Sequence, residues 1–205
     1  MNQIIRGTLE SLEKNNMAGY FINESTELPA LLSQLIPKGA SVGCGDSVTL
    51  EETGVFEFLR AGDYGFYDKH EPGLTSAEKR VLYIKNFSAD VFVTGTNAVT
   101  ADGKLLNIDG NGSRAAPMIY GPPSVIVIVG INKLVADANA AIERARQIAA
   151  PMDAKRLGKK TPCAALGRCV DCNHKQRICN SFVLITGQFA ANRIKVIIVN
   201  EKLGY

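Results

Sequence analysis

The chain has 205 residues, of which 46% are hydrophobic and 21% charged, and this composition is typical of a soluble globular protein rather than a disordered or collagen-like chain. Its longest apolar run, residues 125–130, is far shorter than the roughly 18 residues that a membrane-spanning helix needs. Charged side chains enter the first turns of the chain too early for a signal peptide. We therefore expect a cytoplasmic protein without membrane insertion.

Charge is distributed unevenly along the chain. Residues 1–150 carry 13 Lys and Arg against 17 Asp and Glu, whereas residues 151–205 carry 10 against 3. The densest basic run is interpreted as a solvated linker; it comprises Lys155, Arg156, Lys159 and Lys160. No aromatic side chain that could stack on a base lies within residues 151–177, so nucleic acid is not an expected partner.

Helices and short strands alternate in the first half of the chain. Apolar residues at helical spacing predict an amphipathic helix that begins near Ile4, and Ser25 is placed to cap a second helix over residues 27–35. The other elements predicted here are strands at 19–22, 40–43 and 64–67, a helix at 49–60 that breaks at Gly54, and a helix at 75–87. This last helix is expected to bury one side, formed by Val81, Leu82, Ile84 and Lys85.

The second half continues the alternation around one strongly apolar strand. The β-branched run 125–129 is typical of a central strand with both faces covered. Asp102-Gly103 between two extended runs predicts a β-hairpin that projects from the end of a strand at 90–94. An alanine-rich helix over 137–150, ended by Pro151, precedes strands at 182–186 and 194–199. We predict a single α/β domain over residues 1–205, with a mainly parallel open sheet and helices on both faces.

The first candidate ligand-binding cluster is a glycine-containing turn between a strand and a helix. Exposed backbone N–H groups and polar side chains in such a turn suit a phosphate or a carboxylate. The residues concerned are Gly43, Gly45, Asp46, Ser47 and Thr49. The alternative is a structural turn capped by Ser47 or Thr49. Neither dinucleotide-binding nor Walker spacing is present, so no nucleotide cofactor is predicted.

The second cluster follows the predicted hairpin and the apolar strand. Arg114 is a candidate bidentate partner for a carboxylate or a phosphate, and Asp109 either acts as a general base or orients Arg114. These two residues are the catalytic candidates. Further ligand-binding candidates in this cluster are Thr96, Asn97, Gly110, Asn111, Asn132 and Lys133. Glycine-rich loops of this kind also occur as simple turns.

Four of the five cysteines are close together in a loop at about 160–180. Two of them have the two-residue spacing at which both thiolates can bind one ion. The four are Cys163, Cys169, Cys172 and Cys179. Four thiolates suit zinc or an iron–sulfur cluster equally well, and the alternatives are disulfides or free thiols. The remaining cysteine, Cys44, is expected to be a small buried residue.

Several of these segments resemble the LUD domain family, the lactate-utilisation family that includes lactate utilisation protein C. The resemblance rests on residues 43–54 and 94–114, and on Tyr120-Gly-Pro122 and Val129-Gly-Ile-Asn-Lys133. Residues 162–180 and 203–205 resemble a subgroup of small members that carry the cysteines. The resemblance implies a sheet like that of ribose-5-phosphate isomerase and coenzyme A transferases. Folds of this kind often pair, so a homodimer is an expectation.

Three functions remain open at this point. The first is an accessory role in lactate or organic-acid oxidation, with a cysteine-bound metal or cluster and iron–sulfur redox proteins as partners. The second is a stand-alone isomerase or transferase that acts on a phosphorylated sugar or an acyl thioester. The third is a non-catalytic module that binds a small anionic metabolite. Only His70 and His174 are present as histidines, and neither adjoins a candidate nucleophile, so a Ser–His–Asp triad is not expected.

Overall fold

The structure is a computed structural model and describes residues 3–205; the first two residues of the predicted domain lie outside this part. The strands are β1 (Ala18–Ile22), β2 (Ser41–Cys44), β3 (Gly65–Phe66), β4 (Val91–Thr94), β5 (Ala98–Thr100), β6 (Leu105–Asp109), β7 (Ser124–Gly130), β8 (Leu134–Val135), β9 (Ser181–Ile185) and β10 (Ile194–Val199). The helices are α1 (Gln3–Lys14), α2 (Leu28–Leu35), α3 (Val48–Glu52), α4 (Val55–Ala61), α5 (Ser76–Lys85), α6 (Ala115–Ile119), α7 (Ala138–Arg144), α8 (Ala150–Arg156) and α9 (Pro162–Leu166).

Six parallel strands form the main sheet, in the order β1-β10-β7-β4-β2-β3. β7 lies inside this sheet, where Val125 pairs with Ile194 on one side and with Phe92 on the other. All its residues from Val125 to Gly130 are buried. β-branched side chains fit this position because both faces of a central parallel strand are covered. The predicted α/β fold with a mainly parallel sheet is confirmed.

Each face of the main sheet supports its own apolar core. One core packs the sheet against α2, α3 and α4, with Leu32, Leu50 and Leu59 fully buried. The other lies between the sheet, α1 and a second sheet, and contains Phe92 and Leu105. Burying both faces places the polar strand ends, rather than a sheet face, in contact with solvent.

The predicted hairpin belongs to this second sheet instead of projecting alone. Antiparallel β5 and β6 pair across the Asp102-Gly103 turn, and the four strands run in the order β8-β5-β6-β9. Ala98, Leu106 and Ile108 on its outer face pack against Ala141 and Ala145 of the α7 region. The hairpin is therefore an inner part of the fold and is held on both sides.

Three local predictions were wrong. Pro151 does not end the alanine-rich helix, because a π-helical turn at Ala145–Ala149 leads directly into α8. Pro151 lies in the first turn of α8, where the missing backbone N–H of proline costs no hydrogen bond. α5 buries none of its residues, and the side chains of Val81 and Ile84 are exposed. Ser25 begins a short 3₁₀ turn, and its hydroxyl donates to Glu201 instead of capping α2.

No helix within residues 3–205 is both long enough and apolar enough to cross a membrane.

Candidate functional site

A pocket of about 640 Å³ opens at the carboxyl ends of the parallel strands. Three residues that closely follow strand ends line this pocket: Asp46 after β2, Thr96 after β4 and Lys133 after β7. Ligands of open α/β sheets bind at this edge because the connecting loops converge there. The predicted site residues that line the pocket are Asp46, Ser47, Thr96, Asn97, Asp109, Gly110, Asn111, Arg114 and Lys133.

Positive charge dominates the lining of this pocket. Its cationic residues are Arg114, Lys133, Arg156, Lys159, Lys175 and Arg177, and its acidic residues are Asp46, Asp109 and Asp153. Two of these carboxylates are already paired: Asp46 lies 2.9 Å from the Lys69 Nζ, and Asp153 lies 2.7 Å from the Arg156 Nη2. The unpaired cations make the pocket suitable for an anionic ligand.

Two hydrogen bonds hold the Arg114 guanidinium in one orientation. Its Nη2 donates to the Asn97 Oδ1 at 2.7 Å and to the Ile108 carbonyl oxygen at 2.6 Å. Its Nε is buried and has no hydrogen-bond partner within the described chain. The guanidinium of Arg114 is therefore anchored through Nη2, and its Nε donor remains unused.

Asp109 organises the turn that carries Arg114. Its Oδ2 accepts from the backbone N–H groups of Arg114 at 3.0 Å and Ala115 at 2.9 Å, at the start of α6. A carboxylate that accepts two backbone N–H bonds fixes the local backbone. This contact supports the interpretation in which Asp109 orients Arg114, while general-base action stays a prediction.

Lys133 is the most unusual cation of the site because its side chain is only 4% exposed. Its Nζ donates to the Thr49 Oγ1 at 2.8 Å, and no carboxylate within residues 3–205 forms an ion pair with it. Burial is the main cause that lowers the pKa of Lys133 from 10.5 to about 7. The charges of Arg144 and Arg114 contribute to this lowering, and the charge of Glu52 opposes it.

A set of hydrogen bonds keeps the loops around Lys133 in place. Arg144 is buried and donates to the carbonyl oxygens of Asn132 (3.0 Å) and Asn97 (2.5 Å). The Asn132 side chain in turn accepts from the Leu203 N–H at 3.0 Å and donates to the Leu203 and Gly204 carbonyl oxygens. Asn132 does not line the pocket; its side chain attaches the 203–205 segment to the loop that carries Lys133.

The glycine turn contributes mainly through close packing. A Cβ on Gly43 would lie 2.4 Å from the Asn86 Oδ1, and one on Gly45 would lie 2.3 Å from the Thr94 Oγ1. Ser47 caps α3 by accepting from the Leu50 N–H, as the structural alternative proposed. Gly43, Gly45 and Thr49 lie behind the lining rather than in it. α3 has only five residues, so the positive charge of the site comes from the cationic side chains and not from the N-terminus of this helix.

The cysteine segment forms part of the pocket wall, although none of its thiols lines the pocket. Lys175, Gln176, Arg177 and Ile178 provide this wall. Arg177 is held by the carbonyl oxygens of Cys172 at 3.3 Å and Cys179 at 2.8 Å, and its Nε is buried without a partner in the described chain. The segment therefore adds to the pocket lining a second arginine whose Nε donor is unused.

All five cysteines are free thiols in the structure. Burial raises the pKa of Cys44 to about 11, in agreement with the expectation of a small buried residue. Burial also raises the pKa of Cys179, with Arg177 opposing and the Cys169 and Cys172 thiols adding to the effect. The Cys163 Sγ contacts the Thr161 Oγ1 at 3.3 Å. Within residues 3–205, no three His, Cys, Asp or Glu side chains are arranged to hold a metal ion.

Zinc or an iron–sulfur cluster at these cysteines therefore stays a prediction. If four thiolates bind a metal, Cys169→Ser or Cys172→Ser should release it and loosen residues 160–180 while the sheet stays folded. Metal analysis of anaerobically purified protein, with Cys44→Ser as the control, measures this. Wild-type protein without stoichiometric metal after reconstitution with zinc, or with iron and sulfide, would contradict the prediction.

Several pocket residues were missed by the sequence analysis. They are Tyr83, Asp153, Arg156, Lys159, Lys175, Arg177 and Tyr205. The available signal was the basic excess of residues 151–205, part of which was interpreted as a solvated linker. That interpretation was wrong for Arg156 and Lys159, because α8 and the turn after it bring both to the pocket.

The fold and the site define an α/β protein with a cationic pocket at the carboxyl edge of its sheet. The sequence matches the LUD domain family over residues 5–199, and the chain belongs to this family. It is also similar in structure to a DUF162 family protein from Deinococcus radiodurans, with a TM-score of 0.54 and 16% identity over 96% of each chain. At that identity the likeness shows the fold alone. A search of curated proteins finds no significant match.

Proposed function

We propose that this protein binds a small organic anion, a carboxylate or a phosphorylated metabolite, in the pocket at the carboxyl edge of the main sheet. The observation that carries the proposal is a pair of arginines in the lining of one pocket, Arg114 and Arg177, whose buried Nε atoms have no partner in the described chain. A buried donor without an acceptor is costly. An anionic ligand would supply the acceptor to both.

The charge balance supports the same class of ligand. Lys133 and Arg114 approach the pocket without an ion-pair partner in residues 3–205, while Lys159 and Lys175 add positive charge at its rim. Arg suits a planar carboxylate or a phosphate because it donates two N–H groups in a fixed fork. The lining is more polar than apolar, which favours a small anion over a large hydrophobic ligand.

We further propose that the anion is a small organic acid and that the protein assists its utilisation, with lactate as the first compound to test. Membership of the LUD domain family supports this step. The other functions considered from the sequence, an isomerase or transferase and a partner of iron–sulfur proteins, have no separate observation in their favour.

Arg114→Ala is expected to weaken binding of phosphate, lactate or pyruvate by about 1.5–3 kcal/mol, the value of a charge-assisted hydrogen bond. Isothermal titration calorimetry measures the affinity of each anion, with the exposed Arg80→Ala as the control. Because Arg114 also anchors Asn97, Arg177→Gln is measured in parallel; its contacts are within its own segment. The proposal is wrong if wild-type protein binds none of these anions, or if both variants bind them with unchanged affinity.

A further inference from the structure

We propose that Lys133 is a nucleophile that forms a reversible imine with a carbonyl-bearing anion, and that 2-oxo acids are therefore the ligand class of this pocket. This inference rests on the proposed function, because it assigns a chemistry to the same anion site.

The geometry around Lys133 differs from that of an ordinary structural lysine. The side chain is buried yet contributes to the pocket lining, and its Nζ contacts a hydroxyl, that of Thr49, rather than a carboxylate. Thr49 itself is fully buried and also contacts the Leu203 carbonyl oxygen, at 3.4 Å. A buried ammonium without a counter-ion is costly, whereas a neutral amine at the same position is not.

The charges around this amine favour its neutral, nucleophilic form. Arg114 and Arg144 both act on Lys133, and only Glu52 opposes them. With a pKa of about 7, roughly half of the amine is unprotonated near neutral pH. Desolvation and neighbouring cations are the two means by which proteins activate a lysine toward carbonyl groups.

The neighbouring arginines select the anion that carries the carbonyl. In a 2-oxo acid the carboxylate and the carbonyl carbon are adjacent, so one ligand can meet a guanidinium and an amine at the same time. The Nε of Arg114 is unused and its charge acts on Lys133. A 2-hydroxy acid such as lactate carries the same carboxylate but lacks an electrophilic carbon, and is therefore expected to bind without reacting.

The chemical step balances without a redox partner. The Lys133 nitrogen attacks the carbonyl carbon, a C–N bond forms, and the electron pair of the C=O π bond moves to oxygen. A proton lost from the nitrogen then protonates this oxygen and gives a carbinolamine. Loss of that oxygen as water, with a proton from the nitrogen, gives the imine, which is in equilibrium with its protonated form. Addition of water reverses the sequence and releases the unchanged ligand.

Reductive trapping tests this inference. Wild-type protein is incubated with pyruvate and sodium borohydride, whose hydride reduces the imine to a stable secondary amine, and the modified peptide is mapped by mass spectrometry. We expect one adduct, on Lys133, and faster labelling at about pH 8 than at about pH 6 because the neutral amine reacts. Lys133→Arg should abolish labelling, and Lys38→Arg, at an exposed lysine outside the pocket lining, should not.

Calorimetric titration of the same samples with lactate and with pyruvate separates the two proposals. Binding of both anions without any trapped adduct would overturn the imine inference and leave the anion site intact. An adduct spread evenly over Lys159, Lys175 and other exposed lysines would overturn it as well. If neither anion binds and no adduct forms, the proposed function itself fails.

Discussion

Gly130→Ala is expected to destabilise the fold by about 3 kcal/mol, an effect at the upper end of overpacking substitutions. Gly130 is the last residue of β7, and a Cβ there would lie 2.5 Å from the Glu201 carbonyl oxygen and 2.6 Å from the Leu203 backbone nitrogen. The Asn132 Oδ1 would also be 2.6 Å away. Backbone atoms cannot rotate out of the way as a side chain can, so the 201–203 segment must move.

The same substitution should impair the site, because the displaced segment holds Lys133 and Thr49 under cover. Equilibrium unfolding in urea measures the stability, and calorimetry with phosphate measures the pocket. Gly7→Ala is the matched control: a Cβ on this α1 glycine meets nothing within 4 Å, so alanine should stabilise the helix by up to about 1 kcal/mol. A Gly130→Ala protein with wild-type stability would show that the 201–203 segment is free to adjust.

Between about pH 7 and about pH 10, the wild-type protein should gain stability relative to Lys133→Met, by as much as about 4 kcal/mol. The pKa of Lys133 is lowered from 10.5 to about 7 in the folded protein by burial, with Arg144 and Arg114 contributing. In this window the unfolded chain holds a proton on Lys133 that the folded chain has lost. Stability therefore rises with pH there, and below about pH 7 the full cost of a buried charge is present.

Urea unfolding of both proteins across this pH range measures the difference. Burial also raises the pKa values of Cys44, to about 11, and of Tyr83, to about 12, and these groups lower stability at high pH in both proteins. The comparison with Lys133→Met removes their contribution. Parallel stability curves for the two proteins would mean that Lys133 titrates near its ordinary value, and would weaken the case for a neutral amine at pH 7.

The chain's own sequence determined the main architecture. The β-branched run of β7 is apolar and lies between Ser124 and Gly130, and a buried central strand fits it best. Asp102-Gly103 forms the hairpin because glycine at 103 has a positive φ of 77° that the turn needs. These signals are local, and local propensity and tertiary packing agree at both places.

Tertiary packing alone decided where the helical faces point. α5 has apolar residues, yet Val81 and Ile84 are more than half exposed, because this helix contacts the main sheet chiefly at β2 and leaves these two side chains uncovered. Pro151 looks like a helix end in the sequence, yet a π-helical turn before it relieves the steric conflict with the preceding turn. The exposure of α5 cannot be read from the order of residues, because it depends on partners distant in the chain.

The candidate site also has residues that the sequence identified and others that only the tertiary structure brought to it. Arg114, Asp109 and Lys133 were identifiable because polar residues after strand ends of a parallel sheet converge at one edge. Arg177 and Lys175 were not, since they join that edge only after α8 and the cysteine segment fold back over it. The burial of Lys133 was also invisible in the sequence. It arises because Thr49, Arg144 and the 203–205 segment, from three separate parts of the chain, enclose one lysine and leave it without a carboxylate partner.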